Sequence, residues 1–328
     1  MMRAVMVEQP GGPEQMRISE VPRPEPVDHE LLVKVKATSL NRADILQREG
    51  HYPPPPGVTD ILGLDVAGVV AGKGDDVISW ESGERVMALV PGGGYAEYVT
   101  IPEQIALPIP DNLAFTDAAS LPEAFITAFQ AVVWIGQLKK GATILIHAGA
   151  SGVGTAAIQL AKVIGAKIVI TAGSDEKLRF CHTLGADRGV NYKTSDFQTE
   201  VNNFTGGTGA DVIVDFVGAN YWDKNIASLA VDGRLILLAT LSGSRISNFD
   251  IRDLFNKRGQ VTTSALRSRP PDYKVPLIRD FGSFALPRFN AGTLKPVIDS
   301  IYPWTAAAAA HERMEANANM GKIVLTID

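Results

Sequence analysis

Residues 147–154 read HAGASGVG, between the apolar residues Ile144, Leu145 and Ile146 and the amphipathic stretch TAAIQLAKVIG. A glycine-rich turn between a strand and a helix is a place to hold a phosphate. The unpaired amides of the helix's first turn and its dipole both favour an anion. The spelling departs from G-x-G-x-x-G: Gly149 and Gly154 keep the outer spacing, but Ser151 stands at the middle place. Glycine there normally lets the backbone approach a pyrophosphate. Serine is the smallest substitute that adds a hydroxyl able to donate to a phosphate oxygen. Taken alone, the turn also reads as a plain strand-to-helix connection. The strand–helix–strand unit around it favours a dinucleotide site.

The choice of dinucleotide is read at the end of the second strand, in AKIVITAGSDEK (166–177). An NAD site carries an acidic residue about 20 residues past the first glycine, bonded to the ribose hydroxyl. Counted from Gly149, that place falls near Ala172, which has no charge. Gly173 then offers room, Ser174 a donor and Lys177 a cation, a set suited to a 2′-phosphate. Asp175 and Glu176 run against this, although acidic residues are ordinary at a helix start. Lys177 by itself also reads as a solvated helix lysine. Together the stretch favours NADPH over NADH.

The elements that must hold these residues follow from pattern. At 328 residues the chain has length for two domains. The first 120 residues are short β-like runs bounded by Gly and Pro, such as ELLVKVKATSL and DVAGVVAGKGDD, which predict a barrel-like β domain. HYPPPPGV (51–58) must be a stiff extended loop. From about residue 122 the pattern alternates: helix 122–135 closed by Gly136, strand 142–148, helix 152–164, strand 166–172, helix 175–184 and a short strand near Val190. Strand 210–217, helix 222–231 and strands 233–239 and 259–265 follow. This predicts an α/β fold with a Rossmann-type, doubly wound parallel sheet. In the tail, Thr305 reads as an N-cap, the alanine run 306–310 as helix, Gly321 as its stop and KIVLTID as a last strand.

Composition excludes several classes. Net charge is 31 − 36 = −5, with no basic run, so nucleic acid is not an expected partner. No stretch is long and apolar enough to span a bilayer. The N-terminal residues carry no apolar signal core, and a cytoplasmic protein is expected. The single cysteine, Cys181, rules out a disulfide framework or a multi-cysteine zinc site, and reads as a buried helix residue. The five histidines (29, 51, 147, 182, 311) are scattered without ligand spacing, so no metal site is predicted. His147 reads as structural.

The chain also resembles a known family. NRAD (41–44), ILGLDVAG (61–68) and AGASGVGTAAIQLAK together resemble the medium-chain dehydrogenase/reductase superfamily. The similarity is closer to its zinc-free quinone oxidoreductase, or zeta-crystallin-like, branch. LNRADILQREGHYPPPPG, PGGGYAEYVT, LPEAFITAFQ and MEANANMGKIVL most resemble the stress-inducible NADPH quinone oxidoreductases within it. The zinc-dependent members take a cysteine ligand where this chain has Asn41 and a histidine where it has Leu64. Neither side chain replaces those ligands, and an electron-poor quinone or enone needs no Lewis acid to accept hydride.

What the resemblance implies is specific. A GroES-like substrate domain (1–123 and 267–328) would enclose a Rossmann domain (124–266), with NADPH in the crevice between them. Asn41 and Tyr52 would lie at the nicotinamide and substrate cleft, with Asp44 behind, although Tyr52 alone reads equally as a loop-packing aromatic. Thr127 would approach the nicotinamide ribose or carboxamide. In the glycine loop, Ser151, Gly152 and Val153 would contact the pyrophosphate, flanked by Gly149 and Gly154. Gly173, Ser174, Lys177 and Tyr192 would hold the adenosine and its 2′-phosphate. The backbone from Ser264 to Leu266 would meet the nicotinamide amide. Arg267 reads as a cleft-rim or a surface residue, and Lys322 as a phosphate ligand or a solvated lysine. The implied activity is NADPH-dependent quinone reduction by a homodimer. An enone or enoyl-thioester reductase and a non-catalytic, crystallin-like NADPH-binding protein are the alternatives.

Overall fold

The computed structural model describes Met1–Asp328 and divides into two compact units. One is Met1–Ile126 with Leu266–Asp328; the other is Thr127–Ala265.

The second unit is a six-stranded, all-parallel sheet. Across it lie Arg188–Asn191, Lys167–Ala172, Thr143–Ile146, Ala210–Asp215, Leu229–Leu237 and Gln260–Thr263. Numbered along this unit, the order is 3-2-1-4-5-6, the doubly wound arrangement expected from alternating strands and helices. The order reverses between Thr143–Ile146 and Ala210–Asp215, so the carboxyl ends of these strands flank the switch point. Their residues Ile144, Leu145, Ile146, Val212, Ile213 and Val214 are all buried, as a sheet covered on both faces requires. The helices Gly152–Ile164 and Asp175–Leu184 have the predicted bounds. Each begins at a serine N-cap and ends at a left-handed glycine, Gly165 or Gly185.

The first unit is a seven-stranded mixed sheet with a separate pair, Met2–Val7 against Met16–Val21. Its central strand is Glu30–Ser39, bonded to Asp65–Lys73, Tyr98–Pro102 and the terminal strand Lys322–Thr326. The core includes Val33, Val35, Val66, Tyr95, Trp304, Ile323 and Leu325. The helix Arg42–Arg48 starts directly after the central strand, so Asn41 is fixed at the strand-to-helix corner.

Several expectations needed correction. Residues 122–135 are not one α-helix: Pro122–Phe129 is α-helical and Gln130–Ile135 is a π-helix. Helix 222–231 stops at Ser228, and the next strand already starts at Leu229. Thr305 is no N-cap, because Trp304–Ala306 forms a 3-10 turn and the α-helix is Ala307–Glu315. Gly321 does not stop that helix; Asn317, at φ 51°, takes the left-handed position instead. Gly321 (φ 94°) serves the entry to the last strand, where a Cβ would meet the Val297 carbonyl oxygen at 2.4 Å. Five α-helices lie outside the predicted set: Arg42–Arg48, Phe115–Ala119, Phe197–Thr205, Ile251–Asn256 and the 20-residue Pro271–Asn290, which contains Pro276 and Pro287.

Candidate active site

The glycine loop is built around an N-cap. Ser151 is extended (φ −72°, ψ 167°), and its Oγ accepts the amide of Gly154 at 3.1 Å. The cap takes one of the helix's unpaired donors and leaves the amides of Gly152 and Val153 without an intrahelical partner. The Ser151 hydroxyl keeps its proton for a further acceptor. The outer glycines are explained by packing. A Cβ on Gly149 would meet Ile170 Cβ at 2.9 Å, and one on Gly154 would meet the Ala148 carbonyl oxygen at 2.4 Å. Beneath the loop, buried His147 joins Thr171 (2.9 Å) and Asn225 (2.7 Å), and Asn225 reaches Asp215 (3.1 Å). Burial lowers the His147 pKa, so the ring is neutral and structural.

At the end of the next strand, Ser174 caps Asp175–Leu184, its Oγ accepting the amide of Lys177 at 3.3 Å. Tyr192 lies over Gly173, where a Cβ would stand 2.8 Å from the Tyr192 Oη. Gly173, Ser174, Tyr192 and the first turn bearing Lys177 are therefore brought together. Of the two acidic residues that run against NADPH, Asp175 is engaged: its carboxylate accepts Asn191 Nδ2 at 3.1 Å. Sequence reasoning missed Lys193, whose Cε lies 3.3 Å from the same Gly173 Cβ position. Only its place beside Tyr192 signalled it.

Thr127 sits one turn before the π-helix, at the start of the nucleotide unit. The π-helix opens on Gln130, whose Oε1 accepts the Ser264 hydroxyl at 2.7 Å. The Ser264 amide donates to Leu237, so both its donors are engaged, and Leu266 is buried.

In the first unit a polar cluster is buried at the corner bearing Asn41. Asp44 accepts the Asn41 amide at Oδ2 (2.7 Å) and the Gly63 amide at Oδ1 (3.1 Å). Asp65 accepts Ser39 Oγ (2.7 Å), Asn41 Nδ2 (2.8 Å) and the amide of Glu123 (2.6 Å). Lys322 corrects the sequence reading in both its forms. It is neither solvated nor free for a phosphate: it is 4% exposed, and its ammonium is spent on Leu40 O (2.8 Å), Asn41 Oδ1 (2.6 Å) and Asp65 Oδ2 (3.1 Å). Three donors on three acceptors leave none over.

Tyr52 packs under Arg267, whose guanidinium carbon lies 5.3 Å from the ring centroid. Arg267 is no surface residue: it is buried, bonded to Pro91 O (2.6 Å) and Gln47 Oε1 (2.7 Å), and its Nη1 has no acceptor. Leu64 is buried, and no three His, Cys, Asp or Glu side chains cluster as a metal site would require.

Two family models match the chain: an alcohol dehydrogenase GroES-like domain over residues 27–111 and a zinc-binding dehydrogenase over 152–281. Quinone oxidoreductase from Rattus norvegicus is 30% identical over 330 residues, covering 100% of this chain and 98% of that protein. The chain belongs to the quinone oxidoreductase, zeta-crystallin-like branch of the medium-chain dehydrogenase/reductase superfamily. Among solved structures, a mycobacterial protein complexed with NADPH matches at TM-score 0.89 and 30% identity, over 100% of both chains. An NAD-dependent alcohol dehydrogenase matches at TM-score 0.86 and 34% identity, again over 100% of both. This quinone oxidoreductase thus has an α/β fold with a GroES-like unit and a Rossmann-type sheet that binds NAD(P). No helix is long and apolar enough to cross a membrane. Within the nucleotide unit, the unpaired amides of Gly152 and Val153 and the close approach over Gly173 suit an anionic, oxygen-rich cofactor.

Burial raises the Asp44 pKa to about 7, against the opposing pull of the Asn41 amide, Lys322 and the Gly63 amide. The unfolded carboxyl ionises near ~3.9. Between these values the folded state holds a proton that the unfolded state releases, so Asp44's contribution to stability declines as pH rises from about 4 to 7. Carbon-13 NMR of labelled aspartate should show the Asp44 carboxyl titrating near pH 7. Titration near pH 4 would contradict this account of its surroundings.

Proposed function

We propose that this enzyme reduces quinones with NADPH, without a metal ion, in the cytoplasm. The carrying observation is the Gly173–Ser174–Tyr192 cradle, whose neighbouring carboxylate, Asp175, already accepts Asn191. When bound, the cofactor supplies a hydride from the nicotinamide C4. The rest is done by the chain. The Gly152 and Val153 amides and the Ser151 hydroxyl hold the pyrophosphate at the helix N-terminus, where the dipole helps. Gly173 leaves room for the adenosine, and Ser174, Lys177 and Tyr192 take the 2′-phosphate, with Lys193 alongside. Thr127 and the backbone from Ser264 to Leu266 orient the nicotinamide end.

Asn41 and Tyr52 face the reacting carbonyl, and Asp44 holds the corner that carries Asn41. Quinone reduction needs a hydride and a proton. The proton comes from Tyr52 or solvent, and acceleration comes from positioning and water exclusion more than from acid–base chemistry. Asn41 and Leu64, standing where zinc-dependent relatives carry ligands, support the metal-free reading. We also infer a homodimer. The strand Gln260–Thr263 ends the sheet, and Ile251 and Phe255, on the helix Ile251–Asn256 that precedes it in the chain, are 70% and 79% exposed. Light scattering should give about twice the chain mass; one chain mass would refute this.

Replacing Lys177 and Tyr192 together with Ala should weaken NADPH binding by about 10- to 100-fold, at a few kcal/mol for lost charge-assisted bonds. NADH binding should change little. Equal losses for both cofactors would overturn the assignment. In the wild type, NADPH oxidation should run faster with ortho-quinones than with crotonyl thioesters. The reverse order would make it an enoyl-thioester reductase, and tight NADPH binding without any turnover would make it a non-catalytic binding protein.

A further inference from the structure

The bond between Lys322 and Asn41 has a geometry that charge balance alone does not explain. Asp65 is buried and already receives Ser39, Asn41 and the Glu123 amide. The shortest bond made by Lys322 is not to this carboxylate (3.1 Å) but to the neutral Asn41 Oδ1 (2.6 Å). A carboxamide can turn over, exchanging its oxygen and nitrogen. Here the turned form would set Nδ2 against an ammonium and Oδ1 against a carboxylate, two repulsive contacts in a buried place. One orientation is therefore enforced from both ends. One Nδ2 hydrogen goes to Asp65 at 2.8 Å; the other has only Ser39 O, at the 3.5 Å limit of a hydrogen bond.

We propose that Lys322 is a positioning residue: with Asp65 it locks the Asn41 carboxamide so that its remaining Nδ2 hydrogen is offered to a carbonyl oxygen of the reacting pair. That oxygen belongs to the quinone or to the nicotinamide carboxamide. Both are sp² acceptors of the same kind. The proposal rests on Asn41 lying at the reaction site, and its test keeps the two ideas apart.

The test is a mutant cycle of Lys322→Met, Asn41→Ala and the double variant, with Lys322→Gln as a neutral variant that retains a donor if the methionine form does not fold. Hydrogen exchange of the Asn41 side-chain amide is measured by NMR in the cofactor-free wild type and Lys322 variants; NADPH Kd by fluorescence, and kcat and KM with an ortho-quinone, are measured on every variant. Removing the ammonium should speed Asn41 amide exchange by at least about 10-fold. It should also lower kcat by about 10- to 100-fold, the scale of a small misplacement. The double variant should be no worse than Asn41→Ala. A rise in quinone KM with unchanged NADPH Kd assigns the oxygen to the quinone, and a rise in Kd assigns it to the carboxamide. Multiplying losses in the double variant, or unaltered Asn41 exchange, would overturn the positioning role while leaving quinone reduction intact. A wild type that exchanges as expected but reduces no quinone would overturn the function on which the role rests.

Discussion

Much of the first unit is organised by one buried carboxylate. Asp65 receives bonds from Ser39 at the end of the central strand, Asn41 at the start of a helix, Lys322 on the terminal strand and the amide of Glu123 in the first turn of another helix. These groups come from positions 39, 41, 123 and 322, and a single side chain fixes where the four segments meet. A buried ion pair of this kind is a poor source of net stability, since desolvation offsets most of its attraction. Its value lies in exclusivity, because other packings would leave a charge or an amide dipole unpaired.

The nucleotide unit solves a different problem, how to present donors to phosphates from a neutral loop. Two serines act alike at the ends of adjacent strands. Ser151 and Ser174 each cap a helix by accepting an amide and keep a hydroxyl proton to give away. At the first, glycines admit close packing of helix on strand; at the second, Gly173 admits Tyr192. Serine at the middle place of the loop is thus a capping residue as well as a candidate ligand. The missing glycine costs the loop nothing locally, since Ser151 is in an extended conformation open to any residue.

The parts legible in the sequence were those written in local chemistry. Helix bounds at 152–164 and 175–184 came out as read because each has a serine at its start and a left-handed glycine at its end. Phe197–Thr205 carries an equivalent pair, with Asp196 capping its start and a left-handed Gly206 closing it. The long helix Pro271–Asn290 was hidden by its internal prolines, which tertiary packing of Phe281, Ala285 and Phe289 tolerates. In the tail, Gly321 drew attention from Asn317, which does the left-handed work. Lys322 was misread for a deeper reason. A lysine beside an apolar run looks solvated unless its acceptors are known, and these lie 257 to 282 positions away in the chain. Arg267 likewise has remote partners, Pro91 and Gln47, 176 and 220 positions away.

The chemistry turns on what stands at 41 and 64. In the proposed reading, an asparagine held by a lysine ammonium and a buried leucine stand where zinc-dependent relatives would carry ligands, and the corner orients a carbonyl without a thiolate or imidazole for zinc. The most direct measurement is quinone reduction with NADPH by protein dialysed against a strong chelator, with bound zinc quantified in the same sample. The account predicts unchanged turnover at far less than one zinc per chain. Loss of turnover on chelation, restored by added zinc, would contradict it.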